Sequence, residues 1–66
     1  MKIFCNGQVR EIASGTTLQA LLDELNLELD SVVAEINKQI IDRDQYDQTI
    51  LAEQDQVELI RFVGGG

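Results

Sequence analysis

Apolar and polar positions alternate through the first dozen residues, and the alternation breaks once, at Asn6-Gly7 between "KIFC" and "QVREI". Asn-Gly is the favoured pair for a type I′ hairpin, because both central residues of that turn need positive φ. The pattern predicts strands over residues 2–5 and 8–12. A two-residue turn sets the register, pairing Cys5 with Gln8, Phe4 with Val9, Ile3 with Arg10 and Lys2 with Glu11. Opposite charges facing each other at Lys2 and Glu11 favour that register and mark their face as wet. Phe4 and Val9 share this face. Met1, Ile3, Cys5 and Ile12 point the other way, towards the expected core.

The period then lengthens. Leu18, Leu21, Leu22 and Leu25 fall at i, i+3, i+4 and i+7, one apolar stripe of an amphipathic helix. Thr16 is the expected N-cap, with Gln19 completing a capping box. Gln19, Asp23 and Glu24 face water, and Asn26 is the expected stop. "SVVAEINKQII" reads as a strand over 32–36, a bend at Asn37-Lys38 and a short strand over 39–41. "DRDQYDQTIL" reads as a loop with a helical turn, "AEQDQ" as a turn, and "VELIRFV" as a last strand over 57–63. A hairpin, a helix and further strands make a layered α+β domain. With the last strand parallel to the first, the helix crosses one face of a mixed sheet, which is the β-grasp arrangement. Residues 1–63 form the expected domain and 64–66 a flexible glycine tail.

Size and charge narrow the chemistry. A chain of 66 residues is one domain with a thin core, burying about 60% of its unfolded surface. Deep ligand pockets typically need about 300 Å³ or more, so an autonomous enzyme is not expected. No apolar run approaches the length of a membrane span, and "MKIFCNG" lacks the pattern of a signal peptide, so the expected compartment is the cytoplasm. A single cysteine excludes an internal disulfide, and the chain has no histidine. Cys5, on an inward strand face, reads as a small buried hydrophobe rather than a reactive thiol. The net charge of −7 argues against nucleic acid and anionic lipid and fits a basic partner surface or plain solubility. Asp42, Asp44, Asp47, Glu53 and Asp55 lack the ordered spacing of a calcium loop, and no metal site is expected.

The remaining feature is the close, "RFVGGG". A terminal carboxylate has a pKa of about 3.3–3.7, so at neutral pH it is ionised and inert to nucleophiles until activated, most simply as an acyl-adenylate. Glycine, with no Cβ, suits a narrow passage to a nucleotide. A glycine run alone also fits a disordered end. Here it follows directly on the apolar "LIRFV".

The opening "IFCNG", the helix start "SGTTLQALLDEL", the segment "VVAEINKQIIDRDQYDQTIL" and the close "DQVELIRFVGGG" together resemble the ThiS family, small sulfur carriers of thiamine biosynthesis with a ubiquitin-like β-grasp fold. The resemblance covers the whole chain. The family often has glycine where this chain has Lys38 and Gln54, proline at Asp42 and tryptophan at Tyr46; these departures touch turns rather than the tail. The resemblance implies that an E1-like adenylyltransferase (ThiF-type), using ATP and magnesium, adenylates the Gly66 carboxylate. The carrier itself binds no cofactor. Sulfur from a cysteine desulfurase or another donor then makes a thiocarboxylate, and a thiazole synthase (ThiG-type) receives the sulfur.

Gly65 and Gly64 are the expected slim approach to Gly66. Phe4, Val9, Ile60 and Phe62, continuing into Val63, are expected either to form one exposed apolar docking patch or to lie under covering loops. Arg43 matches a family arginine and either contacts a partner or pins its own loop. Other readings remain: a molybdopterin-type sulfur carrier, a protein modifier forming isopeptide bonds, or a passive interaction module, against which, for RNA, the acidic charge weighs.

Overall fold

The computed structural model describes residues 1–62. The hairpin forms as the alternation predicts, from β1 (Lys2–Cys5) and β2 (Gln8–Glu11). All four expected cross-strand pairs are present. Asn6 and Gly7 both have positive φ, 51° and 81°, as a type I′ turn demands. The second strand ends at Glu11 rather than Ile12, although the Ile12 N–H still donates to the Met1 carbonyl at 2.8 Å.

The helix α1 (Leu18–Glu24) buries Leu18, Leu21 and Leu22 completely, and Leu25 packs on the edge of the same cluster. Its N-cap is Thr17, not Thr16: the Thr17 hydroxyl accepts from the Ala20 N–H at 3.1 Å. Thr16 is turned inward instead, its hydroxyl donating to the Ala13 carbonyl at 2.6 Å and its own carbonyl accepting from the Leu51 N–H at 2.9 Å. No capping box forms, and the Gln19 amide donates along the helix to Asp23 at 3.2 Å. Asn26 ends the helix at φ 58°, one of the few non-glycine residues that tolerates the left-handed region.

After a 3₁₀ turn (Leu29–Ser31), β3 (Val32–Ile36) and β4 (Gln39–Ile40) form a second hairpin. Its turn residues, Asn37 and Lys38, sit at φ 52° and 72°. The Ile41 N–H donates to Ala34 at 2.9 Å, one bond beyond the last paired residue. The segment after it contains the expected helical turn (Arg43–Gln45). Tyr46, read from sequence as part of a polar loop, is a core residue at 2% exposure. Its phenol bridges β3, accepting from the Ala34 N–H at 3.0 Å and donating to the Val32 carbonyl at 3.3 Å. The last strand, β5, runs Gln56–Arg61 and so begins one residue earlier than expected and ends before Phe62. Residue 63, placed by the sequence in that strand, and the tail 64–66 lie outside the described residues.

The five strands form one mixed sheet in the order β2-β1-β5-β3-β4. β5 lies parallel to β1 and antiparallel to β3, as the β-grasp expectation requires. Ile3, Val32, Ala34, Val57 and Leu59 point to the helix side and build the core with the helix leucines, Ile12, Tyr46 and Leu51. Burial of such side chains contributes about 1.5–3 kcal/mol each, so this one layer of contacts carries most of the stability.

Candidate functional site

Because side chains alternate across a sheet, the register that buries Val57 and Leu59 sends Glu58 and Ile60 to the opposite, outer face. The same register places Phe4 and Val9 there with Lys2 and Glu11, and brings Val33 beside Ile60 and Glu35 beside Glu58. Ile40 extends this face on the edge strand, opposite Glu35. Val9 is 60% exposed, Ile60 51% and Phe62 44%, whereas Phe4 is half-buried. The outer face is therefore open.

It is not one continuous apolar patch. Glu58 stands between Gln56, the partner of Phe4, and Ile60 on the same face of β5, and Glu35 faces Glu58 across the strand pair. Two apolar pairs, Phe4 with Val9 and Val33 with Ile60, thus flank an acidic row. The reason is register: Phe4 sits level with the start of β5 and Ile60 near its end. Glu35 and Glu58 are direct cross-strand neighbours, a placing of like charges that disfavours sheet pairing in general. Val33, Glu35 and Ile40 were not singled out from sequence. The alternation within "VVAEI" carried the signal, but which parity faces outward depends on the sheet register.

The C-terminal end of β5 opens beside this face. The Phe62 N–H donates to the Ser31 carbonyl at 3.1 Å, the last described tie of the segment to the sheet. Gly64, Gly65 and Gly66, the expected approach and reactive positions, lie outside the described residues, as does Val63.

The other candidates fall elsewhere. The Arg43 guanidinium is 3.7 Å from Asp30, with both groups well exposed, a pair of the kind that contributes little to stability. Cys5 is half-buried rather than fully buried, and it lies on the helix side of β1. Desolvation raises its thiol pKa above the ordinary value, only partly opposed by the nearby Arg10 charge, so it is a poor nucleophile. Two of the acids of the second half, Asp55 and Glu53, serve local structure. Asp55 accepts from the Asn37 amide at 3.0 Å and from the Ala52 N–H at 2.8 Å, and the Glu53 carboxylate accepts from the Lys2 N–H at 2.7 Å. Among the described residues no group of three or more Cys, Asp or Glu is arranged to hold a metal ion, and no helix is long and apolar enough to cross a membrane. A hollow of about 420 Å³ at the helix end, bordered by Gln19, Asp23 and Glu28, is an open polar dish rather than an enclosed pocket.

A mixed five-stranded sheet with first and last strands parallel at its centre, one helix on one face and the other face open, defines a ubiquitin-like β-grasp protein. The ThiS family model matches residues 3–66, and the chain belongs to the ThiS family. It is 35% identical to the sulfur carrier protein ThiS of Escherichia coli over 66 residues, covering all of both chains. It is 41% identical to a thiazole synthase of Magnetococcus marinus along its whole length, while spanning only 20% of that relative. A crystal structure of the thiamine biosynthesis protein ThiS from Geobacter metallireducens is similar over the full length of both chains, with a TM-score of 0.85 at 29% identity.

Proposed function

We propose that this chain carries sulfur on the carboxyl carbon of Gly66 and delivers it for the thiazole ring of thiamine. The observation that carries the reading is the extent of the family match, which continues through residue 66 and so includes the three glycines. In the first step the Gly66 carboxylate attacks the α-phosphorus of ATP on an E1-like, ThiF-type enzyme, releasing pyrophosphate. Magnesium and ATP belong to that enzyme. In the second step sulfide attacks the acyl carbon and AMP leaves. Where a cysteine desulfurase is the donor, its persulfide attacks instead, and a second thiol cleaves the resulting acyl disulfide to the thiocarboxylate, leaving a disulfide on the donor side. The thiocarboxylate then enters a ThiG-type thiazole synthase. The relatives named thiazole synthase support this last partner, because a segment similar to the whole of this chain is part of the same polypeptide there.

The body does the docking and the tail does the chemistry. The outer face supplies what an activating enzyme can grip: Val33 and Ile60 beside the exit of β5, and the Glu35–Glu58 row for a basic group on the partner. Glycine at 64 and 65 lets the terminus pass where a side chain would not.

The test is intact-mass analysis after incubation with ATP, magnesium, a cognate ThiF-type enzyme and a sulfide source. The expected product is heavier by the exchange of one oxygen for one sulfur. Deletion of Gly66, or one alanine added after it, abolishes that product. A normal yield from either variant overturns the proposal, and conjugates to lysines in place of the thiocarboxylate favour a protein modifier.

A further inference from the structure

β1 stops as a strand at Cys5, yet its pairing with β5 does not stop there. In a parallel ladder, the residue whose N–H donates to one carbonyl of the neighbour receives, on its own carbonyl, the N–H two residues further along. Phe4 N–H donates to the Asp55 carbonyl and Asn6 N–H to the Val57 carbonyl, both at 2.9 Å. The next partner on β5 is Leu59, but the chain has already turned away at Asn6-Gly7. The Asn6 side chain takes over. Its Oδ1 accepts from the Leu59 N–H at 2.8 Å, and its Nδ2 donates to the Leu59 carbonyl at 3.3 Å. The carboxamide thus acts as one more peptide unit of β1, lengthening the ladder after the backbone has left it.

The turn alone does not require this amide. Glycine and aspartate also satisfy the first position of a type I′ turn. Only a side chain with both an acceptor and a donor at this reach can satisfy both groups of Leu59. On its other side, β5 is held through Ala34 opposite Leu59 and Val32 opposite Arg61. Leu59 is therefore the last residue at which both flanks of β5 are described as engaged, and Asn6 supplies one of them.

We propose that Asn6 is a positioning residue that holds the β1 flank of β5 at Leu59 and so, together with the Phe62–Ser31 bond on the other flank, steadies the last strand from which the C-terminal segment departs. This rests on the reading of Gly66 as the group delivered to an activating enzyme. Asn6 touches no reacting atom and acts through the backbone of Leu59.

Two variants test it. Asn6→Gly keeps the turn conformation and removes the amide. Asn6→Asp keeps the acceptor, replaces the donor with a second oxygen against the Leu59 carbonyl, and stands in if the glycine variant fails to fold. Native-state hydrogen exchange is expected to show the Leu59 amide losing protection by about tenfold, with Ile3 and Val32 unchanged. Adenylation by the cognate ThiF-type enzyme is expected to lose about tenfold in kcat with KM within about twofold, because the docking face is intact while the strand that presents the terminus is less steadily held. A folded variant with wild-type kcat overturns the proposal, as does unchanged protection at Leu59. A fall confined to KM or to global stability assigns Asn6 a merely structural role and also overturns it. If the wild-type chain is not adenylated at all, the sulfur-carrier chemistry fails, and the Leu59 exchange rate alone decides whether the clamp exists.

Discussion

The two faces of one sheet have opposite characters, although the same strands build both. On the helix side, Ile3, Val32, Ala34 and Val57 are at most 1% exposed. On the outer side, Val9 and Ile60 are more than half exposed, and two glutamates face each other between the apolar pairs. Adjacent residues such as Leu59 and Ile60 differ little in chemistry and lie on opposite sides. Stability resides on one face, and the other stays open to solvent. A chain of this size has no second layer with which to cover it.

Breaking the inner face is expected to have the largest effect. Leu21→Ala removes a completely buried side chain and should cost about 2–5 kcal/mol, read as a lower urea midpoint. In a small domain this brings the unfolded state within reach at room temperature.

Tyr46→Phe is next. It keeps the ring in the core and leaves the Ala34 N–H and Val32 carbonyl without the phenol, an expected loss of about 1–3 kcal/mol by the same measurement. A loss of only a few tenths would mean that water replaces the hydroxyl and that the segment carrying Tyr46 is less tightly held than its burial suggests.

Gln54→Gly should act in the opposite direction. Gln54 has φ 67°, a conformation costly for a residue with a Cβ, so glycine is expected to stabilise the fold by up to about 1 kcal/mol, measured by thermal melting. Lys38→Gly at φ 72° should do the same. These are the two positions where the family resemblance leads one to expect glycine, and both prove to be left-handed turn residues.

The smallest stability change belongs to the outer face and sharpens the contrast most. Glu58→Lys replaces a repulsive pair with an attractive one and should raise stability by about 0.2–1 kcal/mol. If the proposed activating enzyme docks on this face, the same change should weaken its binding and raise KM for the carrier. A variant both more stable and equally well bound would remove the acidic row from the docking surface.

Much of this was legible in the residues. A two-residue Asn-Gly turn leaves one register open, so every pair of the first hairpin could be named in advance. Four leucines at helical spacing identified the buried stripe. The helix cap was misplaced by one because Thr16 and Thr17 are equivalent as local signals. Contacts with Ala13 and Leu51 turn Thr16 inward and leave Thr17 to cap. Tyr46 gave no warning, because its partners lie on β3, more than ten residues earlier in the chain. The outer patch was half right: alternation identified the face, but only the relative stagger of β1 and β5 showed Glu58 dividing it.

By itself, the sequence determined whatever depends on neighbours along the chain: the turns, the alternation of strand faces, the helix stripe and the family to which these residues point. Tertiary structure alone decided how the strands slide past one another, and with that the split of the outer face, the phenol bridge and the second role of Asn6. The physical reason is that backbone and side-chain amides pair with whatever the fold brings within 3 Å or so, and that distance is not encoded at any single position.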